Sequence, residues 1–340
     1  MMTRLQDRLS RPLVVGGRTL ASRVILAPMA GLGHIALRHL IAEFGGFGLL
    51  FTGMCSAKAV PHENPRVSPV FTWRPEELPF TVCQIFGPEP AIMARAARRI
   101  EKEGFFGVDI NFGCSVAGIC KKGAGAALLR EPDKAVKIVE AVREAVKIPV
   151  FVKYRTGWEN RPEFAADLAG RFRQAGADAL TFHPRVAPDR RNRPPDWKVI
   201  GLVQRAVDIP VFGNGNLFAE ADGLTMLEQT GCQGLAIGRM AVARPWIFAQ
   251  WKDGLIPDNR IYFKSAHRLT CLLEQHYKAP FNLKLFKKIA PYFCANFKFG
   301  QSMLKRLVKA DTLAQVRENL DDMFQSDPPL LSRPNPHLFL

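Results

Sequence analysis

Short apolar runs recur along the first 250 residues of this 340-residue chain, and polar or ionisable residues stand at their C-terminal ends. Met29, Thr52, Gln84, Asn111, Cys114, Lys153, Arg155, His183, Arg185, Asn214 and Arg239 make up this set. Any one of them could be a structural hydrogen-bonding residue. Their convergence on one rim would call for a common purpose. Two segments suggest it: Gly213-Asn214-Gly215-Asn216 and Ile237-Gly238-Arg239. Glycines let backbone N–H groups approach an anion, and the arginine adds charge. The pattern predicts a phosphorylated ligand or cofactor, and no more than that.

The elements that must position these residues are legible from the same runs. They are Val24–Pro28, Gly48–Thr52, Phe80–Phe86, Val108–Phe112, Val150–Tyr154, Ala179–His183, Val211–Asn214 and Gly234–Gly238. Between them lie helical patterns over Pro88–Glu103, Pro132–Val146, Pro162–Ala175, Asp196–Ala206 and Glu220–Thr230. Several open on proline, which suits the first helical turn. Alternating strand and helix predicts a parallel α/β architecture. Eight units in about 230 residues predict a closed (β/α)8 TIM barrel over residues 1–250. A doubly wound sheet is the alternative, but no GxGxxG opens a helix after a strand. In a barrel, the strand-end residues all face the C-terminal mouth, and the loops after strands seven and eight form the common phosphate site.

The charge is uneven. The chain carries 47 Lys and Arg against 31 Asp and Glu, a net +16 that points to a polyanion, RNA or DNA. Residues 260–309 hold eleven of the basic residues and one acid, Glu274. This stretch reads as helices over Tyr262–Tyr277, Asn282–Phe299 and Ser302–Lys309, with aromatics on the core side. A small C-terminal helical domain over residues 256–325 is expected, its lysine face either solvated or set against phosphates. Residues 326–340 are proline-rich and are expected to be an extended tail packed on the surface, or disordered. Seven dispersed cysteines without a CxxC pair indicate neither a disulfide framework nor a metal site. A reducing cytoplasm is the simplest setting. No apolar stretch is long enough to span a membrane, and residues 1–12 contain no secretory apolar core. A monomer is expected, since no coiled-coil pattern occurs.

Taken in order, the motifs resemble the flavin-dependent tRNA-dihydrouridine synthases. They are Ala27-Pro28-Met29-Ala30-Gly31, Gln84-Ile85-Phe86-Gly87, Asp109-Ile110-Asn111-Phe112-Gly113-Cys114, Lys121-Lys122-Gly123-Ala124-Gly125 and Val152-Lys153-Tyr154-Arg155-Thr156-Gly157-Trp158. Gly213-Asn214-Gly215, Ile237-Gly238-Arg239 and Pro245-Trp246-Ile247-Phe248 complete the series. The resemblance runs from about Leu20 to Val316. It implies FMN at the barrel mouth, NADPH as reductant and tRNA as partner. It places Ala27, Pro28 and Met29 along the flavin, Gln84 at its pyrimidine edge and Lys153 near N1 and O2. His183, Asn214, Gly215, Gly238 and Arg239 would hold the ribityl phosphate. Asn111 and Arg155 look like contacts to the target uracil. Lys287 and Lys288 occupy the family's basic pair, and Arg185 opens an arginine-rich loop (Arg190, Arg191 and Arg193 follow) that is a second candidate RNA contact.

The implied chemistry is self-consistent. Saturating C5–C6 of uracil needs a hydride at C6, from reduced FMN, and a proton at C5. Cys114 stands in the family's acid position. A thiol of ordinary pKa, about 8.5, is mostly protonated at neutral pH and can serve as that acid. Cys120 reads as a buried inert cysteine, and Cys55, Cys83, Cys232, Cys271 and Cys294 read as core. The chain departs from the family pattern at Ser115 (usually proline), Gly53 (glutamate), His34 (aspartate), Pro184 (a small residue) and Asn216 (aspartate). Serine at 115 would leave the Cys114 loop freer. Three alternatives remain: a flavin oxidoreductase of a small molecule, a dihydrouridine synthase for another RNA, and an RNA-binding flavoprotein that has lost reduction.

Overall fold

The computed structural model describes residues 2–189 and 193–339. Helix α1 (Arg4–Ser10) precedes an antiparallel hairpin of β1 (Leu13–Val15) and β2 (Arg18–Leu20). There follow β3 (Val24–Leu26), α2 (Ile35–Phe44), β4 (Leu50–Phe51), β5 (Cys55–Ser56), β6 (Thr81–Phe86), α3 (Pro90–Glu103) and β7 (Gly107–Phe112). Next come α4 (Ala117–Cys120), α5 (Pro132–Ala145), β8 (Val150–Gly157), α6 (Pro162–Gln174), β9 (Ala179–Val186) and α7 (Lys198–Arg205). The barrel ends with β10 (Val211–Asn214), α8 (Glu220–Thr230), β11 (Gly234–Ile237) and two short helices, α9 (Arg239–Ala243) and α10 (Ile247–Asp253). Helices α11 (Asn259–His276), α12 (Phe281–Cys294), α13 (Gly300–Lys309) and α14 (Leu313–Phe324) complete the chain before the tail.

The barrel strands pair in parallel in the order β3-β11-β10-β9-β8-β7-β6-β4. Two backbone hydrogen bonds bring the ends of this path together, Gly48 N to Val24 O (2.8 Å) and Leu26 N to Leu49 O (3.0 Å). The expected TIM barrel is therefore present, and each of the eight apolar runs overlaps one of its strands, with β7 starting one residue earlier and β8 and β9 running on to Gly157 and Val186. Proline opens α3, α5 and α6 at their first turn, where its missing N–H has no intrahelical partner to lose.

Strand alternation sorts the side chains. In β7, Val108, Ile110 and Phe112 pack outward against the helices, while Asp109 and Asn111 turn into the barrel. The lower barrel is apolar: Phe51, Phe151, Phe212 and Ile25 pack with Leu13, Val15 and Leu20 of the hairpin. That hairpin, not anticipated because its strands are three residues long, closes the N-terminal end, where Arg18 donates to Phe106 O (2.9 Å).

The C-terminal helices are fastened to the barrel. Trp246 is fully buried against Phe44 and Tyr262, at ring separations of 6.0 and 4.6 Å. Buried Asn296 donates to Ala243 O (2.9 Å) and accepts from Arg244 Nε (2.8 Å). It also donates to Phe293 O, so α12 ends at Cys294 rather than running on to Phe299. α14 had no counterpart in the expected helices. Residues 326–339 are neither loose nor disordered: Leu338 and Phe339 are buried, and Leu331 N donates to Asn296 O (2.7 Å). Among the described residues no helix is long and apolar enough to cross a membrane, and no cluster of metal ligands occurs.

Candidate active site

A cavity of about 680 Å³ opens at the C-terminal ends of the strands. That is within the range of small-molecule and cofactor sites. Ala27, Pro28 and Met29 line it from the end of β3, Lys153 and Arg155 from β8, and His183 and Arg185 from β9. Asn214–Phe218 follow β10, and Gly238–Met240 follow β11. Four cationic side chains face this space (Lys153, Arg155, Arg185 and Arg239), and among the described residues no carboxylate lines it. Such a cavity selects an anion.

The loops after β10 and β11 form one end. Gly215 has φ +126°, and a Cβ there would lie 3.0 Å from His183 Cδ2, so only glycine lets the loop lie against the imidazole. Asn216, at φ +54°, presents its Oδ1 to both Arg185 Nη2 and Arg239 Nη2, each at 3.2 Å. An amide oxygen organises the two guanidinia without neutralising either. This function of Asn216 was missed from the sequence, where it stood only as a departure from an aspartate. Asn214 donates to Ala236 O (2.7 Å), tying β10 to β11. Burial and the surrounding Arg155, Lys153, Arg185 and Arg239 push the His183 pKa well down. The neutral ring accepts at Nε2 from Arg185 Nη1 (3.4 Å).

A polar layer lies inside the barrel. Gln84 Nε2 donates to Asp109 Oδ2 (2.6 Å), and Asn111 Nδ2 donates to Gln84 Oε1 (2.8 Å). Gln84 is fully buried and does not line the cavity. Asp109 Oδ1 and Arg155 Nη1 are buried with no partner. Burial raises the Asp109 pKa and lowers that of Lys153, which Arg155 lowers further. The free protein therefore loses the Lys153 charge below the ordinary lysine pKa of about 10.4. Anion binding holds that charge, so affinity for an anionic ligand is expected to fall as pH rises above neutral, by at most tenfold per unit. Titrating affinity against pH for the wild type and Lys153→Met checks this: the variant should lack that limb.

Cys114 sits at the edge. The next three residues, Ser115, Val116 and Ala117, line the cavity, whereas the half-buried Cys114 is not among the lining residues. Its backbone is pinned. Asn111 Oδ1 accepts from Gly113 N (3.0 Å) and Cys114 N (2.9 Å), Arg155 Nε donates to Gly113 O (2.7 Å), and Ala126 N donates to Cys114 O (2.8 Å). Gly125, at φ +63°, lies so close that a Cβ would stand 2.6 Å from Cys114 O. The freedom expected from Ser115 is thus offset by contacts from outside the loop. Asn111 and Arg155, read from the sequence as uracil contacts, here hold the segment that carries the thiol.

Lys287 and Lys288 lie on α12, outside the cavity, with Lys284 on the same helix face. Lys288 is exposed, and its Nζ comes within 3.4 Å of where a Cβ on Gly31 would be, so it reaches the β3 side of the mouth. Arg268 and Arg306 of the basic stretch are paired instead, with Glu43 and Asp322. Arg185 lines the cavity and Arg193 accepts from it through its carbonyl (2.9 Å), while Arg190 and Arg191 lie outside the described residues. Cys271, read from the sequence as core, is exposed on α11. The departure at His34 has a local account. His34 caps α2, accepting from Leu37 N (3.2 Å) as a short polar cap does.

The fold and the cavity define a (β/α)8-barrel protein with a cationic cavity at the C-terminal mouth of its strands. The family model of dihydrouridine synthases matches residues 25–327. The chain is 32% identical over 323 residues to a probable tRNA-dihydrouridine synthase 1 of Synechocystis, covering 92% of this chain and 89% of the relative. It is 36% identical over 236 residues to tRNA-dihydrouridine synthase B of Pseudomonas aeruginosa, covering 69% and 70%. The chain belongs to the dihydrouridine synthase family. Its barrel also resembles the old yellow enzyme of Trypanosoma cruzi, with a TM-score of 0.56 at 13% identity over 74% of this chain and 93% of that one, a likeness of fold.

Proposed function

We propose that this protein reduces uridine to 5,6-dihydrouridine in tRNA, with FMN as cofactor and NADPH as reductant. The observation that carries this reading is the cavity lined by four cations and, among the described residues, by no carboxylate, flanked by the pinned Cys114 loop, in a chain of this family. The residues present suit FMN. Arg239, with Gly238, Asn214, Gly215 and neutral His183, would take the phosphate end. Lys153 is a buried cation whose charge a reduced, anionic isoalloxazine would stabilise. Ala27, Pro28 and Met29 would flank the ring, and Gln84 would lie beneath it. When bound, FMN supplies hydride-transfer chemistry, which no side chain can.

The protein's own residues do the rest. Cys114 gives the proton to C5, and Asn111 and Arg155 fix the backbone that aims it. Arg155 Nη1, buried and unpartnered, is left to meet the substrate or cofactor. We assign residues 1–250 to catalysis, 256–325 to RNA binding and 326–340 to a bracing tail, in a monomeric cytoplasmic enzyme. A small-molecule flavin oxidoreductase would leave the exposed lysine face of α12 without a purpose. Purified protein should be yellow and release FMN, and with NADPH it should form dihydrouridine in tRNA. Colourless protein after reconstitution with FMN would overturn the flavin assignment.

The RNA surface has its own test. Replacing both Lys287 and Lys288 with alanine is expected to weaken tRNA binding at low salt. The slope of log affinity against log salt should shrink by roughly 1.5 to 2, the counterion release of two phosphate contacts. Filter binding across a salt series reads this. An unchanged slope would move the RNA path off this helix.

A further inference from the structure

We propose that the tail completes the phosphate end of the cavity. Phe339 from the tail and Phe218 from the loop after β10 flank the Arg239 guanidinium and hold it in its working position. This rests on the reading that Arg239 receives the cofactor phosphate.

The Arg239 Cζ lies 5.7 Å from the centroid of Phe218 and 5.6 Å from that of Phe339. The two rings are themselves 5.9 Å apart, at 31° to each other. Both distances fall within the range of cation–π attraction. Aromatic faces attract a guanidinium without competing for its N–H donors. One of those donors, on Nη2, engages Asn216 Oδ1 (3.2 Å). Phe218 lines the cavity, whereas Phe339 supports from outside it and is 5% exposed.

The tail is secured for this purpose. Phe339 stacks on Tyr292 of α12 at 5.5 Å and 27°. Arg333 Nη2 pairs with Asp222 Oδ2 at 2.8 Å. The same carboxylate oxygen accepts from Phe218 N (2.8 Å) and Ala219 N (2.9 Å). One ion pair therefore ties the tail to the loop that carries the other aromatic. Asn335 N donates to Ala295 O (2.8 Å), anchoring the segment to the end of α12. Phe339 and Arg333 are positioning residues for a side chain more than ninety positions earlier in the chain.

The experiment compares FMN with riboflavin, which lacks the phosphate. Dissociation constants come from quenching of flavin fluorescence, for the full-length wild type, Arg239→Ala, Phe339→Ala, Arg333→Ala and the Arg239→Ala/Phe339→Ala double variant. Arg239→Ala should abolish most of the preference for FMN. Phe339→Ala should raise the FMN constant about three- to tenfold and leave riboflavin unchanged. In the double variant, Phe339→Ala should add nothing. If Arg239→Ala leaves the FMN preference intact, the phosphate assignment itself fails. If Arg239→Ala removes the preference but Phe339→Ala leaves it whole, or weakens both flavins equally, the positioning role is overturned. Should Phe339→Ala not fold, Arg333→Ala decides, since it loosens the tail from an exposed ion pair: an unchanged FMN preference would overturn the proposal.

Discussion

Cys114→Ala is expected to lower dihydrouridine formation by about 10²- to 10⁴-fold, the usual worth of a positioned general acid. FMN content and reduction of the flavin by NADPH should be unaffected. The separation follows from placement. Cys114 borders the cavity without lining it, and its backbone is fixed by Asn111, Arg155 and Ala126 through main-chain atoms that alanine retains. The substitution therefore removes the thiol and leaves the loop. Single-turnover reduction of tRNA by pre-reduced enzyme reads the loss directly. A rate within threefold of the wild type would remove Cys114 from the acid role. Asn111→Ala should slow the same step while the thiol remains, because two backbone N–H groups lose their acceptor.

The second large effect is on stability. Glu77→Ala is expected to cost about 3–5 kcal/mol, because it strands a buried charge. Arg38 and Glu77 are both fully buried and joined at 2.7 Å. Arg38 also donates to Gly33 O and Thr72 O, both at 2.7 Å, so one guanidinium holds together the loop after β3 and the segment before Glu77. Glu77 in turn accepts from Arg74 N (3.3 Å). Urea unfolding measures the change. Glu77→Gln keeps an acceptor and should cost less than the alanine. A loss below about 1 kcal/mol for Glu77→Ala would show that the surroundings relax to solvate Arg38.

Much of this was legible because parallel strands buried on both faces read as apolar runs, and because proline marks the helix starts. The eight strands followed from those two signals, and the glycines after β10 and β11 marked loops that line the cavity. The polar layer did not. Gln84 and Asn111 lie near the C-terminal ends of β6 and β7, so each taken alone pointed to the ligand. Asp109 is two residues before Asn111 on the same face, and its register opposite Gln84 makes the amides partners of one another. The i, i+2 spacing of Asp109 and Asn111 was the available clue. The pairing across strands was not available from either strand. The tail was opaque for a similar reason: nothing near Phe339 in sequence says that Arg239, Phe218 and Tyr292 surround it. Basic residues 260–309 pointed to a polyanion as a group, but their number overstated the open surface, since Arg268 and Arg306 are spent on Glu43 and Asp322.

The central claim is that this cavity serves uridine reduction in tRNA. Mapping dihydrouridine across all RNA, from cells with the gene, without it, and complemented with the wild type or Cys114→Ala, tests it most directly. The account predicts that dihydrouridine disappears from defined tRNA positions when the gene is lost, returns with the wild type and does not return with Cys114→Ala. Unchanged dihydrouridine at every tRNA position after loss of the gene would contradict it.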